Sequence, residues 1–215
     1  MAEEILIASP LSTFSRLIEL IASKDYWLSI FNSFWKIFFG LFLALSLGLI
    51  FAVLAFRFDF FRTIISLPIS FLKSVPVAAF VIVLLFWISS RNLSIYIGFF
   101  MGLPIIYENT YAGFFQLDKK LVEMADSFKV PFKKRLAYLY RHQLLNFFKT
   151  AIISASGLIF KAGIAAELIG LQANSIGEKL YSAKIYLDSP DLFAWIISIL
   201  FFSMVFEKFL KWILR

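Results

Sequence analysis

The sequence predicts an all-α transmembrane protein with five spans and an amphipathic cytoplasmic helix. Three observations carry that prediction. Of 215 residues, 61% are hydrophobic and 28 are Phe, and mean hydropathy is +0.85, whereas a soluble domain is nearer 45–50% apolar. Long uncharged runs recur along the chain, and Ile37 to Phe56 gives twenty such residues, about the length needed to cross the hydrocarbon core. Between two of these runs lies a polar island, Gln116 to Lys149, with eight Lys or Arg against three acids.

Composition also excludes classes. With no Cys and one His, disulfide frameworks, thiolate chemistry, metal centres and His-based catalysis have almost nothing to build on. No Gly-rich phosphate loop, GxSxG elbow or HExxH is present, so neither an enzymatic activity nor a cofactor on this chain is expected. The net charge of +7 is divided among the apolar runs and forms no continuous stripe, which argues against nucleic acid and for a topology signal.

Taken in order, residues 1–26 read as an external amphipathic segment. Leu11, Phe14, Leu17, Ile18 and Ile21 share a helical face, with Ser12 or Thr13 as cap. The acidic MAEEILIASP start lacks the basic region of a signal peptide. The first span covers about 28–56, with Lys36 snorkelling at its start. Arg57, Asp59 and Arg62 form a polar turn, and the second span covers about 63–90. Pro68 and Pro76 predict a kink or break there, because each removes an amide donor. Lys73 on this span is a candidate pathway residue. Arg91 and Asn92 turn the chain into the third span, about 93–113, where Gly98 and Gly102 are spaced for close helix packing. Glu108 near its inner end is expected to pair with a basic residue of the following loop.

The loop, 114–142, contains the predicted amphipathic helix. Leu121, Ala125 and Phe128 recur at helical spacing, charged residues fill the other side, and Pro131 interrupts it. The fourth span, about 145–170, is rich in Ala, Ser and Gly and belongs at the bundle centre or a subunit interface. It carries Lys161 and Glu167, both candidate pathway residues, with a packing or capping contact as the competing reading for Glu167. Residues 171–190 form an external loop with a short helix in NSIGEKLYSAKIY, and Ser189, Pro190 and Asp191 start the fifth span, about 191–212. Fourteen Lys or Arg then lie on the inner side and five outside. This asymmetry predicts an external N-terminus, a cytoplasmic loop and a cytoplasmic C-terminus.

The run LVEMADSFKVPFKKRLAYLYRH resembles the coupling loop of type I ATP-binding-cassette importer permeases, whose pattern is Glu-Ala-Ala, three residues, Gly, nine residues, then Ile-x-Leu-Pro. Glu123 and Ala125 match, Met124 replaces the first Ala, Lys129 stands at the Gly position, Leu139 replaces Ile, and Arg141 and His142 replace Leu-Pro. ASPLSTFSRLIELI, SLPISFLKSVPVAAF, YENTYAGFFQLD and GIAAELIG resemble flanking signatures of the nitrate, sulfonate and taurine branch. Members of that branch usually carry one more span before the lead-in, so the resemblance implies a five-span core over 27–215 or a shortened form. Pro131 is the expected substitute for the lost loop Gly and Pro.

The resemblance further implies a bacterial inner-membrane importer in which two permease subunits, identical or homologous, form the pathway. Each inserts its loop helix into a cytoplasmic ATPase that binds ATP and Mg, and an extracytoplasmic binding protein delivers the substrate. It assigns coupling to Leu121, Glu123, Ala125, Asp126, Phe128 and Lys129, with the apolar members seated in the ATPase cleft and Glu123 and Asp126 paired with its basic residues. A scaffold subunit that transports nothing and an ATP-independent channel are the alternative readings.

Overall fold

The computed structural model describes residues 8–214; the first part of the N-terminal segment and Arg215 lie outside them. Helix α1 (Pro10–Ala22) is capped by Ser9, whose side chain accepts from the Ser12 N–H. The cap is thus one turn earlier than the predicted Ser12 or Thr13, because Pro10 occupies the first helical position, where it needs no amide donor. The predicted apolar face points away from the chain: Leu11, Phe14 and Ile18 are exposed, and Thr13 is buried instead. An inward edge tied by Arg16 to Asp191 at 2.7 Å holds α1 on the last helix. This ion pair and the Glu19 carboxylate raise the Arg16 guanidinium above its ordinary range.

Helix α2 (Lys24–Arg57) has 34 residues, about 51 Å at 1.5 Å per residue, so it outreaches the hydrocarbon core. It begins before the predicted boundary because Ser23 accepts from the Tyr26 N–H and caps it. The predicted polar turn at Arg57, Asp59 and Arg62 is a single extended residue, Phe58, after which α3 (Asp59–Ser74) starts with Asp59 in its first turn.

Pro68 is accommodated inside α3, whereas Pro76 caps α4 (Val77–Leu84). The two helices meet at 107°, so the predicted break falls at the second proline. A 3-10 turn, Ser90–Asn92, leads into α5 (Leu93–Phe115). Helix α6 (Lys119–Ser127) follows, then α7 (Phe132–Lys134), which runs through a π-helical stretch, Arg135–Tyr140, into α8 (Arg141–Gly170). Helix α9 (Ile176–Ile185) is the short helix expected within NSIGEKLYSAKIY, capped by Ser175. Helix α10 (Ser189–Ile213) is capped by Asp188, with Pro190 in its first turn.

Among the described residues, α2, residues 143–170 of α8, and α10 are long and apolar enough to cross a membrane, and the bent α3–α4 pair makes a fourth crossing if counted as one span. Helix α5 has 23 residues but is not in that set; Glu108, Asn109 and Thr110 lower its apolarity. It is nevertheless central, packed between α2 and α8.

Apolar side chains gain little by leaving lipid for one another, so these helices associate through close backbone approach. A Cβ on Gly40 of α2 would stand 2.7 Å from the Ile95 carbonyl oxygen of α5, and one on Gly102 would stand 2.3 Å from Ile159 Cδ1 of α8. The predicted packing role of Gly98 and Gly102 holds, as does the central position of the small-residue helix α8, whose Ala151, Ala155, Ala162 and Ala166 are buried.

Gly40→Ala is therefore expected to lower the thermal midpoint in detergent, at a cost of about 1–3 kcal/mol for overpacking against backbone. Gly157→Ala, where an added Cβ meets nothing within 4 Å, is expected to be neutral or mildly stabilising. Equal effects at the two positions would contradict the packing account.

Candidate coupling site

The polar island folds as a helix held at both ends by side chains from the segment that follows it. At the start of α6, Asp118 caps by accepting from the Lys120 N–H at 2.9 Å, while its own N–H donates to Gln143 Oε1 of α8 at 2.9 Å. At the end, Lys129 takes a left-handed φ of 51°. The Val130 N–H reaches the Ala125 carbonyl at 2.9 Å and the Lys129 N–H reaches Asp126 O at 2.9 Å. This is the two-bond Schellman closure in which Gly is favoured. The position that aligns with the family's Gly therefore keeps the glycine backbone geometry with a lysine. Pro131, expected to make the turn, instead caps α7; the helix has already ended at Ser127.

Arg135, which the sequence reading passed over, locks this closure. Its Nε donates to the Val130 carbonyl at 2.6 Å, its Nη2 to the Ala125 carbonyl at 3.0 Å, and its Nη1 to Asp126 Oδ1. The carboxylate raises the guanidinium above its ordinary range. The available signal was a basic residue nine positions after an acid, across a turn, which becomes informative once the turn geometry is known. Behind the clamp, Phe56 of α2 stacks on Phe114 of α5 at 4.3 Å, and Tyr140 meets both edge-on. Arg57 lies over the Phe132 ring at 5.7 Å. The end of α2, the end of α5 and the π-helical stretch thus form one aromatic cluster, and a cavity of about 490 Å³ is lined by Phe56 and Tyr140 together with Val122 and Asp126 of α6.

This geometry divides the predicted coupling residues. Glu123 is exposed, Phe128 is 77% exposed, and Lys129 is exposed at the turn. Leu121 is half-buried. Ala125 is buried at 3% against the chain itself, and Asp126 is paired with Arg135. The helix has its apolar seat within this protein, and the surface it offers outward is Glu123, Met124, Ser127 and Phe128.

The predicted pathway residues also separate. Lys73 Nζ lies 2.7 and 2.9 Å from the two Glu108 carboxylate oxygens, so Glu108 pairs across helices with α3 and not with the following loop. Glu167 is fully buried and is a packing residue: it accepts from Ser33 Oγ at 2.7 Å, Gln172 Nε2 at 3.2 Å and the Gly177 N–H at 3.3 Å. It ties α2, α8 and α9 together. Lys161 is exposed on the side of α8 that also carries the exposed Asn146, Thr150, Ser154 and Leu158 and the half-buried Gly157, and no described acid pairs with it. Among the described residues no cluster of His, Asp or Glu suits a metal ion.

A helical membrane protein whose polar-loop helix is hydrogen-bonded at both ends to the segment that follows it is the class these features define. The family model of the binding-protein-dependent transport system inner membrane component matches residues 27–215, and the chain belongs to that family. It is an integral inner-membrane permease component of an ATP-binding-cassette transport system, a family that works with ATPase and substrate-binding partners and is not itself catalytic. No curated protein matches the chain.

Lys129→Gly is expected to strengthen the closure of α6 by about 1 kcal/mol, the left-handed cost of a side chain less the chain entropy of glycine. Arg135→Met is expected to loosen it. Hydrogen exchange at the Val130 amide reads both, slower in the first and faster in the second. Unchanged exchange in Arg135→Met would show that the clamp does not hold the turn.

Proposed function

We propose that this chain is a five-span importer permease whose α6 docks on a cytoplasmic ATPase. In this reading α5 is a further span, with the α3–α4 pair counted as one. The N-terminus lies outside, and the C-terminus and α6 lie in the cytoplasm, as the distribution of basic residues favours. The single observation that carries the reading is the fixed outward presentation of Glu123, Met124 and Phe128 on a helix clamped at both ends, in a chain of this family. An exposed aromatic with neighbouring charge suits a hot spot that enters a partner cleft. Ala125 and Asp126 contribute by mounting the helix, Leu121 by seating its first turn, and Lys129 by closing its last.

Closure of two ATPases on ATP and Mg would move α6, and the aromatic cluster of Phe56, Phe114 and Tyr140 would pass that displacement to α2, α5 and α8 together. Such a rocking of rigid helices gives alternating access. The pathway would form between two permease subunits, identical or homologous, along the α8 line of Thr150, Ser154, Gly157 and Lys161. A polar line on a membrane helix is costly against lipid and inexpensive against water. An extracytoplasmic binding protein would supply the substrate. The flanking motifs favour the nitrate, sulfonate and taurine branch, and an unpaired Lys161 suits a small anion.

Phe128→Asp and Glu123→Lys are expected to reduce recovery of the co-expressed ATPase about tenfold or more while leaving the permease folded, since both side chains are exposed. Lys161→Gln is expected to lower uptake of the anion without affecting ATPase recovery. Full ATPase recovery with Phe128→Asp would favour the scaffold reading, and passive anion flux from this chain alone in liposomes would favour the channel reading.

A further inference from the structure

A second feature lies at the loop end of the bundle, beside the segment that carries the clamp. A cavity of about 560 Å³ opens between α2, α5 and the helix that follows the loop. Its walls are apolar, with Val53, Phe114, Leu144 and Phe148 among them, while Lys133 and Arg141 both line it and are both exposed. No carboxylate is among its lining residues. Thr110 also lines it, 3% exposed, and its Oγ1 has no hydrogen-bond partner among the described residues.

An apolar slot lined by two cations and no carboxylate matches an amphipathic anion. We infer that this cavity is a binding site for an anionic phospholipid. The acyl chain lies along Val53, Phe114, Leu144 and Phe148, and the phosphate is held at the rim by Lys133 and Arg141. Basic pockets between membrane helices on the cytoplasmic side recognise acidic headgroups in this way. The inference rests on the proposed orientation only for the leaflet, which is the cytoplasmic one. Because the slot includes Lys133 and Leu136, on the segment that carries the Arg135 clamp, an occupied slot would brace the base of α6.

The test is native mass spectrometry of the delipidated full chain with phosphatidylglycerol or phosphatidylcholine added. The expected result is one phosphatidylglycerol per chain, preferred about tenfold. Lys133→Gln with Arg141→Gln should abolish the preference, and Lys208→Gln with Lys211→Gln, a basic pair at the end of α10, should retain it. Leu145→Trp, which fills the slot, should lower occupancy by either lipid. Equal binding of the two lipids, or equal loss of preference from both double substitutions, overturns the site. The chain has no Cys, so Ala137→Cys at the slot is a unique thiol. Efficient short-range cross-linking of Ala137→Cys between two copies in a bilayer would show that a second chain covers the slot, and would also overturn it. These readouts need no ATPase, so failure here leaves the docking reading intact.

Discussion

The fold depends on how closely α2, α5 and α8 approach. In a bilayer, lipid tails are as apolar as the side chains they would replace, so association rests on van der Waals contact and on the few polar groups that need partners. Gly40 and Gly102 remove the side chains that would separate α5 from its neighbours. The buried Glu167 supplies the polar counterpart at the opposite end from α6, where three donors from three segments satisfy one carboxylate. A removed donor there would leave a buried polar group unmatched, so the knot specifies one arrangement of α2, α8 and α9.

That rigid core gives the loop helix something to stand on. Arg135 converts a turn that has lost its glycine into a fixed mount by placing donors on two carbonyls and one carboxylate around it. The mount reaches the ends of α2 and α5 through Phe56, Phe114 and Tyr140. A force on α6 would therefore act on several helices at once, which is what a two-state rocking element requires.

Much of this was legible in the sequence because it depends on local pattern. Uncharged runs marked the long helices, Pro76 marked the break between α3 and α4, small residues marked α8 as central, and the polar island marked α6. What was not legible depends on which distant residues meet. Nothing near Glu108 distinguishes Lys73, thirty-five positions away, from a lysine in the adjacent loop. Glu167 read as a pathway candidate because a carboxylate in a span is expensive, yet Ser33, Gln172 and Gly177 satisfy it. Helical spacing found the apolar face of α6 but not that Ala125 on it is buried within the chain. Helical spacing likewise found the shared face of Leu11, Phe14 and Ile18 on α1 but not that it would be left exposed.

The central claim is that α6 meets an ATPase through its outward face. Because the chain lacks Cys, single cysteines at Met124, Ala125 and Phe128, co-expressed with the ATPase of the same system, give a direct reading through short-range cross-linking. The account predicts cross-links from Met124→Cys and Phe128→Cys and none from Ala125→Cys. Cross-linking from Ala125→Cys, or none from the other two positions, would contradict it.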